Sequence, residues 1–186
     1  SFLLTAVGTV VSLIITTMLA YPLARQGMPF RGVLTFIVFF TMLFNGGLVP
    51  TYINYTNVFH IKNTFWAILI PSLLMNAYNV LLTKSYFFTG VPSEILEAAS
   101  IDGASEFKTF LSIALPMAKP IIATIGLFVG IAYWNDWSNS IIYLTPSDGS
   151  MWYSIQALLY QMMNNIQYLS QNAQNLSTAQ EGLASI

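Results

Sequence analysis

Charge is what this sequence has least of. Only 7 % of its 186 residues are charged, six of them Lys or Arg and seven Asp or Glu, where a water-soluble domain carries about a quarter. So few charges could not cover the surface of a soluble fold of this size, so hydrocarbon is the expected solvent for much of it. Cysteine is absent, which excludes disulfides and thiolate metal sites and says nothing about compartment. The single histidine, His60, cannot make a histidine-rich metal site. There is no G-x-x-x-x-G-K-[ST] phosphate loop, no H-E-x-x-H zinc helix and no serine in a nucleophile elbow. An enzyme is therefore not expected, and any ATP hydrolysis must occur on another chain. A net charge of −1 without a basic patch argues against nucleic acid. The first residue is Ser1 rather than Met, and no charged region precedes the opening apolar run. That run does not read as a signal peptide, and the chain is expected to be a fragment.

What is present is apolar: 55 % of the residues are hydrophobic and the mean hydropathy is +0.64. A helix needs about 20 apolar residues to cross the hydrocarbon layer. Four stretches approach that length, at 2–23, 33–49, 64–82 and about 118–135. The second is broken near its end by Asn45-Gly46-Gly47, which opens a bend or ends a helix. The expected fold is all-α, a polytopic transmembrane bundle forming one domain over 1–186. Thr5, Thr9, Ser12 and Thr16 fall on one face of the first span with Gly8 beside them, and small residues let helices approach closely in lipid. Packing is the reading adopted for that face, with a polar pathway wall as the alternative.

Arg25 and Arg31 lie between the first two spans, and Lys84, Lys108 and Lys119 between the last two. Lys62 alone lies between the second and third. Positive residues gather on the cytoplasmic side, so the first and third connections are expected inside and both chain ends outside. The segment 136–186 is then extracellular. Within it Thr145-Pro146-Ser147-Asp148-Gly149 has turn chemistry. Residues 151–169 fit a surface helix, with Ile155, Leu158, Leu159 and Met162 at helical spacing. Residues 171–180, rich in Asn, Gln and Ser, fit a solvated loop.

The cytoplasmic loop at 84–119 is the most informative part. Pro92 and Ser93 can open a short helix with Glu94 and Glu97 in its early turns. Gly103 stands where a left-handed residue ends it. Asp102 or Ser105 can cap a second helix, with Phe107, Phe110, Leu111 and Ala114 along one apolar face. Pro116 and Pro120 punctuate the approach to the fourth span.

The spacing Glu97-Ala98-Ala99, three residues, Gly103, nine residues, Ile113, one residue, Leu115-Pro116 resembles the EAA motif of binding-protein-dependent ABC importers. Asp102 and Ala104 on either side of Gly103 match the motif's usual form. Phe44-Asn45-Gly46-Gly47-Leu48-Val49-Pro50 and Tyr133-Trp134-Asn135-Asp136-Trp137 resemble the carbohydrate branch of these permeases, particularly LplC-like subunits. The resemblance implies a MetI-like permease fold of about six spans, of which this chain would be the central part. It implies that Glu97, Ala98, Ala99, Asp102, Gly103, Ala104, Leu115 and Pro116 form the surface that docks on an ATP-binding subunit. The implied partners are two such subunits, which hold the ATP and Mg, a second homologous permease subunit, an extracellular solute-binding protein, and the lipid of a prokaryotic plasma membrane. The implied solute is a carbohydrate, an oligosaccharide in particular. No cofactor or metal is expected on this chain.

Two clusters could line a sugar pathway: Asn76, Tyr78 and Asn79 in the third span, and Tyr133, Trp134, Asn135 and Asp136 at the outer end of the fourth. Sugar sites combine aromatic faces with a few amides and carboxylates. Interhelical hydrogen bonding is the competing reading for the asparagines, and an interfacial aromatic belt for the tryptophans. The alternatives for the whole chain are a permease for amino acids or peptides, a non-transporting membrane scaffold, and an intramembrane enzyme.

Overall fold

The computed structural model describes residues 1–71 and 73–184, and its fold is all-α. Helix α1 (Phe2–Ala24) is followed by α2 (Arg31–Leu43), α3 (Leu48–Ile53) running on into a π-turn over Asn54–Val58, and α4 (Trp66–Leu69). Then come α5 (Ala77–Gly90), α6 (Ser93–Ile101), α7 (Glu106–Thr109) with a π-turn over Phe110–Ala114, and α8 (Leu115–Met117). The last three are α9 (Lys119–Asn135), α10 (Ser138–Tyr143) and α11 (Ile155–Ala184).

The centre is α1, packed along α5 and α9. Close approach explains the pattern on α1. A Cβ on Gly8 would lie 2.6 Å from the Tyr133 ring of α9, and one on Gly130 would lie 3.5 Å from Thr9 Oγ1. The hydroxyls of Thr5, Thr9, Ser12 and Thr16 are all buried in this packing and have no hydrogen-bond partner among the described residues. Leu4, Leu23, Val80, Ile125 and Val129 fill the rest of the seam.

At 1.5 Å per residue α1 is about 34 Å long and α9 about 26 Å. Among the described residues α1 alone is long and apolar enough to cross a bilayer unbroken. Two further pairs qualify only across sharp bends, Arg31–Leu43 with Leu48–Val58 at 113° and Glu106–Met117 with Lys119–Asn135 at 80°. The first bend is built by Asn45 Oδ1, which accepts from Gly47 N at 3.0 Å, and by Gly47 at φ +85°.

The expected span at 64–82 is not one helix. It stops after α4, and Pro71, which has no N–H to donate, lies in the break. Asn76 then caps α5, its Oδ1 accepting from Tyr78 N at 2.9 Å and Asn79 N at 3.4 Å. Carbonyls released inside a membrane protein need partners. Tyr133 Oη donates to Leu69 O at 2.8 Å, and Asn139 Nδ2 donates to Pro71 O at 3.0 Å.

Two expectations for the outer segment also change. Residues 171–180, read as a solvated loop, continue helix α11, because no proline or glycine interrupts the stretch. The turn at 145–149 forms, with Gly149 N donating to Thr145 O at 2.8 Å, yet Gly149 sits at φ −105°. Its lack of a side chain serves close packing instead: a Cβ there would meet Asn63 Oδ1 and Leu144 Cβ at 3.0 Å. The apolar repeat Ile155, Leu158, Leu159 and Met162 remains exposed, whereas Ala157 is fully buried.

Candidate functional site

Helix α6 begins after Pro92, with Glu94 in its first turn at the positive end of the helix dipole. Its end is a Schellman motif. Ala104 N donates to Ala99 O at 3.0 Å and Gly103 N to Ser100 O at 3.1 Å, and Gly103 takes φ +79°. Asp102 is the C-cap residue of α6, so Ser105 caps α7, its Oγ accepting from Lys108 N at 3.3 Å. The chain therefore turns sharply within a few residues, and α6 and α7 remain in contact.

The two faces of this pair differ. Leu96 and Ala99 are buried, whereas Glu97, Ala98, Asp102 and Gly103 are exposed. Small Ala98 and Gly103 leave the backbone approachable beside the Glu97 and Asp102 carboxylates. On α7 the apolar face is split: Phe110 and Ala114 are buried, but Phe107 and Leu111 remain exposed. Pro116 cannot donate to the carbonyl four residues back, and the π-turn over Phe110–Ala114 lies just ahead of it. Leu115 is half-buried, Pro116 is exposed, and the 80° bend into α9 follows.

The loop is tied to α1 by groups 81 and 85 residues apart in sequence. Arg25 Nη2 donates to Glu106 Oε1 at 2.8 Å, and Tyr21 Oη donates to Glu106 Oε2 at 3.2 Å. Tyr21 also packs on Phe87 and Phe110, with ring centroids 5.7 and 5.0 Å away. Two clefts flank the tie. One of about 500 Å³ lies against α7, lined by Met18, Pro22, Met28 and Phe107 among others. Another of about 310 Å³ lies against α6 and includes Glu97. Glu106, Arg25 and Tyr21 escape a motif reading. The weak signals for them were an acid in the second short helix and a basic residue at the end of the first span.

The second set of expected site residues separates into different roles. Asn76 is the cap of α5, and Asn79 is buried one turn on. Tyr78 is exposed. Tyr133 is fully buried and occupied with Gly8 and Leu69, so it is a packing residue. Trp134 and Asn135 are exposed at the end of α9. Asp136 Oδ1 accepts from Asn139 N at 3.2 Å, while Oδ2 is buried without a partner among the described residues. Burial holds this carboxyl above its ordinary value, against the lowering effect of bonds from Asn139 and Ser138. Trp137 stacks on Tyr160 at 4.3 Å. Among the described residues no cluster of His, Cys, Asp and Glu could hold a metal ion.

The family model for the binding-protein-dependent transport system inner membrane component matches residues 3–185. The polygalacturonan/rhamnogalacturonan transport system permease protein YtcP of Bacillus subtilis (strain 168) is 39 % identical over 163 residues, 88 % of this chain and 55 % of that protein. Protein LplC of the same organism is 40 % identical over 162 residues, 87 % of this chain and 53 % of that protein. The chain thus spans about half the length of the curated relatives it matches. A bacterial ABC transporter involved in the import of the acidic polysaccharide alginate has a chain of similar structure. Its TM-score is 0.74 at 30 % identity, covering 86 % of this chain and 54 % of that one. With these matches added to the spans and the loop geometry, the chain belongs to the family of binding-protein-dependent transport system inner membrane components.

Proposed function

We infer that this chain forms the core of a permease subunit in an ATP-driven importer, and that the α6–α7 pair is its docking surface for an ATP-binding subunit. The observation that carries this reading is the turn at Gly103, with Glu97, Ala98 and Asp102 exposed beside it while Leu96 and Ala99 are buried against the body. The assembly contains a second related permease subunit, two ATP-binding subunits and an extracellular solute-binding protein. ATP-driven closure of the ATP-binding subunits displaces α6 and α7. The motion passes through the Arg25–Glu106 contact to α1 and through the bend at Ala118 to α9, alternating access between the two sides. A carbohydrate is the solute class favoured by the names of the relatives, and an oligosaccharide fits names that refer to polygalacturonan and alginate. Exposed Trp134, Asn135 and Trp137 offer stacking faces and an amide for it.

The test replaces Gly103 with leucine in the intact transporter. A Cβ at φ +79° is strained, and a left-handed position costs a branched side chain about 1–2 kcal/mol. The side chain also obstructs the docking face. Uptake and solute-stimulated ATPase activity are expected to fall at least about tenfold, since a loss of about 1.4 kcal/mol of productive coupling at the docking face already gives that factor. Ala98→Arg, on the exposed face of a well-formed helix, is expected to weaken copurification of the ATP-binding subunit without unfolding the permease. Full coupling in both variants would sink the docking assignment.

A further inference from the structure

Three helices converge at the start of α2, and they bring two cations together with no carboxylate of the described residues paired to either. Arg31, the first residue of α2, donates from Nε to Leu23 O in the last turn of α1 at 2.9 Å. One turn further along α2, Thr35 Oγ1 accepts from Lys84 Nζ of α5 at 3.2 Å. One turn beyond Lys84, the Phe88 ring faces the Arg31 guanidinium, 5.6 Å from centroid to Cζ. Arg31 and Thr35 on one helix thus interlock with Phe88 and Lys84 on the other. The guanidinium and the ammonium are thus held on neighbouring turns of a single α2–α5 seam.

Each cation is anchored by a neutral group: a carbonyl, a ring face or a hydroxyl. Those anchors orient the charges without cancelling them. The ion pair among the described residues is Arg25–Glu106, so neither Arg31 nor Lys84 has a described carboxylate in reach. The terminal guanidinium nitrogens of Arg31 are left as a fork suited to phosphate oxygens. The α2 N-terminus adds to the same field, having no side-chain cap and no acid in its first turn. What distinguishes the place from a free-phosphate site is the apolar surface beside it. On the outward side of α2, about 100–140° around the helix from Thr35, Phe36 and Phe40, with Phe44 just past the helix end, form an exposed ladder, with centroids 6.0 and 4.2 Å apart.

We propose that Arg31 and Lys84 form the headgroup site of an anionic phospholipid, whose phosphate lies between guanidinium and ammonium and whose acyl chains run along α2. The site is separate from the docking surface, and the proposal stands whether or not that assignment does.

The experiment uses the intact transporter, stripped of lipid in detergent and titrated with phosphatidylglycerol or phosphatidylcholine, with retained lipid read by native mass spectrometry. Each cation near an anionic headgroup contributes about fivefold in affinity. Arg31→Gln with Lys84→Gln should therefore lower phosphatidylglycerol retention roughly 25-fold and leave phosphatidylcholine unchanged. The charge-keeping pair Arg31→Lys with Lys84→Arg should retain phosphatidylglycerol. Lys84→Gln alone preserves the Arg31–Leu23 anchor and should still show about a fivefold loss, which covers the case of a misfolded double variant. Equal retention of the two lipids by the wild type overturns the proposal, as does unchanged retention in the glutamine variants. Displacement of phosphatidylglycerol by millimolar inorganic phosphate would assign the site to the free anion instead.

Discussion

A methyl group added at Gly8 would fall 2.6 Å from the Tyr133 ring, and that ring cannot retreat. Tyr133 is fully buried and its hydroxyl is held by Leu69 O. Overpacking of this kind costs about 1–3 kcal/mol. Gly8→Ala is therefore expected to lower the thermal midpoint of the purified transporter, and Tyr133→Leu introduced beside it should recover part of the loss. An unchanged midpoint in Gly8→Ala would mean that α1 and α9 are not held this closely. The sequence singled out both residues but could not pair them, and it set Tyr133 among the candidates for a solute pathway. The reason is physical: a tyrosine near a helix end is equally suited to stack on sugar or to fill a seam, and only the 124 residues folded between Gly8 and Tyr133 decide which. Asn76 has a similar history. Asparagine is a strong N-cap residue, but within an apolar run its capping role becomes visible only once the helix is seen to break at Pro71.

At the scale of elements, local chemistry was a good guide wherever it was complete within a few residues. Gly103 was expected to end α6 in the left-handed region and does so at φ +79°. Serine at 105 caps α7, as one of the two expected residues. The bend after α2 follows from Asn45-Gly46-Gly47. The third span was misread because hydropathy measures the apolarity of 64–82 and not the fate of its carbonyls, which Tyr133 and Asn139 satisfy from 64 and 68 residues away. The tie between α1 and α7 is of the same long-range kind. The Glu106 side chain is 66 % exposed, and an exposed ion pair contributes about 0–1 kcal/mol. Glu106→Arg should thus shift the melting temperature little. Transport should fall severalfold if the contact carries motion from the docking surface, and Arg25→Glu in the same subunit should restore part of it. Normal transport in the single charge reversal would show that α1 moves without this contact.

For the molecule as a whole, apolar side chains turn outward along α2, α9 and the first part of α11. Patches on this scale mark contact with lipid or with other chains. One half-buried carboxyl, with its Oδ2 out of contact with solvent, adds a dependence on pH. Asp136 is held above its ordinary value by burial, so the folded state keeps a proton that the unfolded chain has already lost. Stability then falls as pH rises from the ordinary carboxylate value to the raised one, and is level above it. The melting temperature of the transporter, compared with that of Asp136→Asn, should decline across that window, since the amide cannot titrate. A wild type that gains stability relative to Asp136→Asn over the same interval would contradict the assigned burial.

The sequence by itself determined the solvent, the helical class, the family and the local geometry of the loop around Gly103, because each is written in composition or in spacings of a few residues. Packing alone decided that the third span breaks, that Glu106 is tied to Arg25 and Tyr21, and that Arg31 and Lys84 share a seam. Those facts depend on contacts between residues 49 to 85 positions apart in the chain. Such contacts are set by how helices of similar hydrophobicity choose their neighbours, and a pattern along one helix does not carry that choice.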